Sequence, residues 1–109
     1  MEITFLDDDL REICEKEKIA KRKIGALSAK KLKTRLADIR AVNIVTDLVA
    51  GHPHPLEGDR RGEFSLRLHD GHRLVFVPDL IPVPFKESDS VDWSKVTKIK
   101  IIYIGDYHD

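Results

Sequence analysis

Phe64-Ser65-Leu66-Arg67-Leu68-His69-Asp70-Gly71-His72-Arg73-Leu74-Val75-Phe76-Val77 is the stretch from which the architecture can be read. Two runs of alternating apolar and polar residues flank Asp70-Gly71, and an Asp-Gly pair between such runs is a strong local signal for a β-hairpin. With a two-residue loop, His69 faces His72, Leu68 faces Arg73 and Arg67 faces Leu74. Phe64, Leu66, Leu68, Val75 and Val77 then share one sheet face, with Arg73 at its end. The other face carries Ser65, Arg67, His69, His72, Leu74 and Phe76. A bulge at Gly71 slips one strand by a residue and moves Arg73 to the other face, because side chains alternate with a period of two. The pattern leaves open which arginine points at a cleft.

C-terminal to the hairpin, residues 78–96 hold three prolines, several acids and the sole tryptophan, Trp93. They read as a long acidic insertion pinned by Trp93. Lys98 to Ile104 follows as an apolar strand suited to the inside of a sheet. N-terminal to the hairpin, Leu56-Glu57-Gly58-Asp59-Arg60-Arg61-Gly62 is turn chemistry. His52-Pro53-His54-Pro55 cannot be helical, since each proline disfavours the helical conformation of the residue before it. It forms a stiff extended loop that presents His54 on a constrained backbone. Residues 44–49 suggest a short helical turn. Before it, Leu32, Leu36, Ile39 and Val42 recur at helical spacing behind Ser28, a candidate N-cap. The outer face of that helix carries Lys30, Lys31, Lys33 and Arg35. Gly25 is a natural break. Asp7, Asp8 or Asp9 caps an earlier helix through Leu10, Ile13 and Cys14 that runs to about Lys18 or a few residues beyond. Glu2 to Leu6 alternates as a short strand with Ile3 and Phe5 on one side. The order predicts an α+β fold, a small antiparallel-dominated sheet with two N-terminal helices packed on it, in one domain over 1–109.

Composition narrows the function classes. The 109 residues are 41% hydrophobic, too apolar for a disordered chain and long enough for one core. No apolar run approaches membrane-spanning length, and the acidic start carries no signal-peptide pattern, so a cytoplasmic protein without a membrane partner is expected. The lone Cys14 excludes an internal disulfide and a cysteine-based zinc site, and reads as a core residue. His52, His69 and His72 read as surface residues, and no ligand spacing suggests a metal or cofactor. The 19 basic and 19 acidic residues cancel overall. Yet residues 16–40 hold ten basic residues, Lys21, Arg22, Lys23, Lys30, Lys31 and Lys33 among them, against Glu17 and Asp38, a local +8. Such a segment is either a solvated helix face or a stripe that meets phosphates.

Three local patterns carry a family likeness: His54-Pro55-Leu56-Glu57-Gly58-Asp59-Arg60-Arg61-Gly62, then Ser65-Leu66-Arg67 with Arg73-Leu74-Val75-Phe76, then Gly105-Asp106-Tyr107-His108. In that order the chain resembles the HigB-type killer toxins of the RelE/ParE superfamily, the toxin halves of type II toxin–antitoxin pairs. The likeness covers residues 56–76 and the last dozen well, and the first fifty only as a helix–helix layout. The 78–96 insertion and Asp109 depart from the family pattern. The resemblance implies a RelE-like fold and ribosome-dependent cleavage of messenger RNA, with inhibited translation and growth. It also implies a helix-turn-helix, HigA-like antitoxin as partner, with operator DNA met only through that antitoxin. Carried over by position, His54, Arg73, Asp106, Tyr107 and His108 are the implied catalytic residues. The resemblance gives Arg67 a supporting part, and Arg60, Arg61 and the lysine-rich stripe are candidate phosphate contacts. A ParE-like inhibitor of DNA gyrase and a non-catalytic binding module are the alternatives.

These residue types suit the chemistry. RNA supplies its own nucleophile, the 2′-hydroxyl, so cleavage requires a base, an acid and cations around the phosphate. Histidine exchanges protons near working pH, and the planar arginine fork can give paired hydrogen bonds to phosphate oxygens.

Overall fold

A computed structural model describes residues 1–106 of the chain. Asp7 caps the first helix, α1 (Asp8–Glu15), by accepting the Leu10 N–H at 2.9 Å, and Asp8 and Asp9 sit in its positively polarised first turn. Lys16 is extended and the chain restarts as α2 (Glu17–Ala41), so the first helix stops short of Lys18. Gly25, at φ +84°, breaks α2 into two segments, a conformation that side-chain-bearing residues rarely adopt.

Two expectations for α2 are corrected. Ser28 does not cap a helix; it is buried inside α2, where its hydroxyl donates to the His69 carbonyl at 3.1 Å and meets His72 Nδ1 at 2.9 Å. One hydroxyl has one hydrogen and a carbonyl can only accept, so the His72 ring donates from Nδ1. His72 is accordingly a half-buried tie between helix and hairpin, not a surface residue. Arg35 does not lie on the outer face with the lysines. It is 9% exposed, paired with Asp38 at 3.1 Å, and its Nε donates to the Arg67 carbonyl at 3.1 Å. Periodicity cannot tell a solvated arginine from one that reaches under the sheet to a backbone acceptor.

The sheet runs β1 (Glu2–Phe5), β5 (Lys98–Asp106), β4 (His72–Pro78), β3 (Phe64–Arg67), β2 (His54–Pro55). β1 pairs with β5 in parallel and the other pairs are antiparallel. The expected α+β architecture is present, and the constrained histidine loop proves to contain a two-residue edge strand.

The hairpin register settles the arginine question. Arg67 pairs with Arg73, Leu66 with Leu74, Ser65 with Val75 and Phe64 with Phe76. The loop is therefore one residue longer than the two-residue form, and the strands slip by one. Asp70 takes the left-handed position at φ +58°, and a Cβ at Gly71 would meet the Asp106 carboxylate at 2.6 Å. The slip turns Leu74 and Phe76 inward with Phe64, Leu66 and Leu68. It places Arg73 and Val75 on the face opposite the helices. A second irregularity, where Val75 pairs with Tyr103 but Phe76 with Ile101, leaves Ile102 as the extra residue of a bulge in β5.

The insertion is anchored as its tryptophan suggests. Trp93 is buried with its ring 4.9 Å from Phe64 and 6.2 Å from Phe76. Asp92 caps the Trp93–Lys95 turn, and hydrogen bonds from Ser94 hold its carboxyl below the usual range. A cleft of about 650 Å³ lies between this segment and Pro55, Leu56 and Val77. Among the described residues, no helix is long and apolar enough to cross a membrane.

Candidate functional site

Two cross-strand rungs make the sheet face opposite the helices, which is buried at Ser65 and Val75 and exposed at Arg67. The first is His54–Ser65–Val75–Tyr103, from β2 to β5. The second is Arg67–Arg73–Gly105. Strands lie about 4.8 Å apart, so the first rung spans roughly 14 Å. The face follows from the slipped register: a two-residue loop would have put Arg67 and Arg73 on opposite sides.

Arg67 and Arg73 are directly opposed. Leu68 N–H donates to the His72 carbonyl, which makes Arg67–Arg73 a non-hydrogen-bonded pair, the closer of the two antiparallel kinds. Like charges so placed destabilise a sheet. Arg67 is exposed; Arg73 is half-buried, with Nη1 donating to the His72 carbonyl at 3.1 Å and reaching Asp70 O at 3.5 Å. Backbone carbonyls of the turn hold the Arg73 guanidinium, at the register position directly across from Arg67.

His54 sits one rung away. Its Nδ1 lies 2.8 Å from the His52 carbonyl, and its ring centroid is 4.8 Å from that of His52. Ser65, its cross-strand neighbour, is fully buried, and its Oγ has no hydrogen-bond partner among the described residues.

Tyr103 was not singled out from sequence. Its hydroxyl donates to the Asp106 carbonyl at 3.1 Å, and Arg60 lies 5.2 Å over its ring. Gly105 makes room for it, because a Cβ there would meet the Tyr103 hydroxyl at 2.9 Å. The available signal was the strand period counted back from Gly105, masked by the apolar run in which Tyr103 sits.

The other candidates divide. Arg60 is engaged with Glu63 at 2.9 Å as well as with Tyr103, and Arg61 reaches the Asp89 carbonyl at 3.5 Å beside the insertion cleft. Asp106 occupies the register position of His72, on the helix side of the strand, with its carboxylate against Gly71. It is thus not on the face of the two arginines. Lys21, Arg22, Lys23, Lys30, Lys31 and Lys33 are all exposed on α2, whose buried residues face the sheet from the other side. Tyr107 and His108 lie outside the described residues. No group of three metal-ligating side chains occurs among the described residues.

The whole chain superposes on a YoeB/ParE toxin from Agrobacterium tumefaciens with a TM-score of 0.60, at 17% identity, covering 99% of this chain and 100% of that one. The chain has the YoeB/ParE toxin fold. A YoeB–YefM complex from Staphylococcus aureus matches at TM-score 0.59 and 22% identity, over 100% of this chain and 98% of that one. A YoeB dimer from Staphylococcus aureus matches at 0.56 and 23%, with the same coverage. No protein-family model matches the sequence, and no curated protein does. The YoeB/ParE fold agrees with the RelE/ParE-like architecture expected from the motifs. It does not single out the HigB type.

Proposed function

We propose that the chain is the toxin of a type II toxin–antitoxin pair, a ribosome-dependent endoribonuclease of HigB type that cleaves messenger RNA and arrests translation. The observation that carries this reading is the opposed Arg67–Arg73 pair with His54 on the adjacent rung. Two arginines at opposed positions on the sheet face away from the helices are suited to a phosphate held by paired hydrogen bonds. His54 takes the proton of the 2′-hydroxyl, whose oxygen attacks the neighbouring phosphorus. Arg73 and Arg67 stabilise the charge that builds on the phosphate oxygens. The bond to the 5′ oxygen breaks, and that oxygen receives a proton from His108, leaving a 2′,3′-cyclic phosphate and a 5′-hydroxyl. Tyr107 positions the nucleotide. These two assignments rest on the motif resemblance; Asp106, on the other side of its strand from the arginines, is not assigned the part of base.

The lysines of α2 and Arg60 and Arg61 are proposed phosphate contacts, the α2 set docking on ribosomal RNA. The partner is a small helix-turn-helix antitoxin, which links the toxin to operator DNA. Support for an antitoxin comes from the fold shared with a YoeB solved together with YefM.

Primer extension on messenger RNA after induction tests the reading. Discrete cuts that need ribosomes, reduced about 100-fold in Arg73→Ala, are expected. Growth arrest without cuts but with DNA damage signalling overturns it in favour of gyrase inhibition. Neither effect leaves a binding module.

A further inference from the structure

Arg35 takes no part in the chemistry above, yet its contacts lead to His54 in four steps. Its Nε donates to the Arg67 carbonyl at 3.1 Å. Arg67 N–H donates to the Gly51 carbonyl at 2.7 Å. Gly51 also lies directly on the Arg35 side chain: a Cβ there would sit 2.5 Å from Nε. Gly51 and then His52 hold left-handed backbone, at φ +86° and +50°, and the His52 carbonyl comes to 2.8 Å from His54 Nδ1.

The last contact has a direction. A carbonyl oxygen accepts and cannot donate, so Nδ1 carries the hydrogen. It carries it whether the ring is neutral or charged. The proton that comes and goes is then the one on Nε2, the nitrogen turned away from the loop. Pro53 fixes φ between the two histidines, and Pro55 favours extended backbone at His54, where β2 pairs with Ser65. The ring therefore has few ways to escape this arrangement once residue 52 is held.

Left-handed backbone at a histidine is uncommon and persists where the surroundings impose it. Here they do. The buried guanidinium, kept in place by Asp38 at 3.1 Å, fastens the Gly51–His52 turn to the strand that carries Arg67. We propose that Arg35 is a positioning residue: through the backbones of Arg67 and Gly51 it holds the His52 carbonyl on His54 Nδ1 and reserves Nε2 for proton exchange. The catalytic part of this statement rests on His54 being the proton-transfer group; the tautomer part does not.

Two readouts keep those parts separate. The first is the nitrogen-15 spectrum of the imidazoles in the full-length protein without RNA, in alkaline buffer. The wild type is expected to show His54 as the Nδ1–H tautomer; an Nε2–H signal overturns the proposal without any variant. Arg35→Lys keeps the charge but loses the Nε–H, and it should move the His54 signals toward the mixture of a free imidazole. Gly51→Ala should do the same, whereas His52→Gly keeps the carbonyl and suits φ +50°, so the Nδ1–H signal stays. A folded Arg35→Lys protein with unchanged His54 signals overturns the proposal.

The second readout is cleavage on programmed ribosomes. Arg35→Lys is expected to lower kcat about ten-fold with KM little changed, because the phosphate cations remain. The Arg35→Lys, Gly51→Ala double variant should lose no more than the worse single one, since both cut the same chain of contacts. Additive losses, or a rise in KM alone, overturn the positioning role. A wild type with the Nδ1–H tautomer but no cleavage contradicts the nuclease reading and leaves the tautomer assignment standing.

Discussion

Arg67 facing Arg73 and the buried Ser65 hydroxyl are costs that the sheet carries, and both lie on the face proposed to receive RNA. Leaving a buried hydroxyl without a partner costs about 1–3 kcal/mol. Ser65→Ala is therefore expected to match or exceed the wild type in thermal stability. If the hydroxyl meets the substrate, the same variant cleaves more slowly; unchanged cleavage with raised stability would assign Ser65 no functional part. Cys14 behaves in the opposite sense. Burial, the largest influence, pushes its thiol from 9.0 up to about 12; the charge of Arg40 lowers it and that of Glu15 raises it by less. From about pH 9 upward an unfolded thiol loses its proton while the folded one keeps it, so folding weakens as pH rises through that window. The melting temperature of the wild type should fall more steeply above pH 9 than that of Cys14→Ala, and equal slopes would refute the raised pKa of this half-buried thiol. Cys14 and Trp93 were legible as apolar packing from their neighbours in the chain. Arg35 was not: its helical position resembles that of the lysines, and only the Arg67 carbonyl and Gly51 explain why it turns inward.

The hairpin and the insertion show how an element can be evident in sequence while its consequences are not. Asp70-Gly71 marked the turn, but not the one-residue slip that sets the faces, in which Asp70 takes the left-handed position, Asp106 lies against Gly71 and His72 meets Ser28. Gly71→Ala, measured by denaturant unfolding, is expected to destabilise the fold by less than about 1 kcal/mol, because the exposed Asp106 carboxylate can turn aside. A loss of several kcal/mol would mean that the carboxylate is held in place. In the insertion, Trp93→Ala removes the ring packed on Phe64 and Phe76 and should cost about 3–5 kcal/mol. Cleavage by added protease should then concentrate in residues 83–91, ahead of the lost anchor.

Across the molecule, two groups of cations are separated by the sheet. Arg67 and Arg73 stand on the open face; Lys30, Lys31 and Lys33 project from the helix layer on the other side. A neutral total of 19 against 19 conceals this division. In the proposed reading the arginines meet the scissile phosphate and the lysines meet ribosomal RNA, so the two groups are separable by mutation. Replacing Lys30, Lys31 and Lys33 with Glu should weaken ribosome binding, most at low salt, where screening is least. Binding that does not change at any salt concentration would return the lysines to an ordinary solvated face.

Local chemistry was enough to place β1, β5, the start of the first helix, the Gly25 break and the hairpin, because propensity, capping and alternation act between residues close in the chain; the start of α2 at Glu17 and the edge strand at His54 were not placed. It also supplied the types of side chain that the proposed cleavage requires. Which of them share a face depended on a register difference of one residue and on a bulge at Ile102, both set by contacts between segments distant in sequence. Long-range packing likewise turned Arg35 inward, joined Ser28 to His72 and laid Tyr103 beside Gly105. Alternation states that side chains point to two sides; only the packed helices decide which side is covered and which stays open.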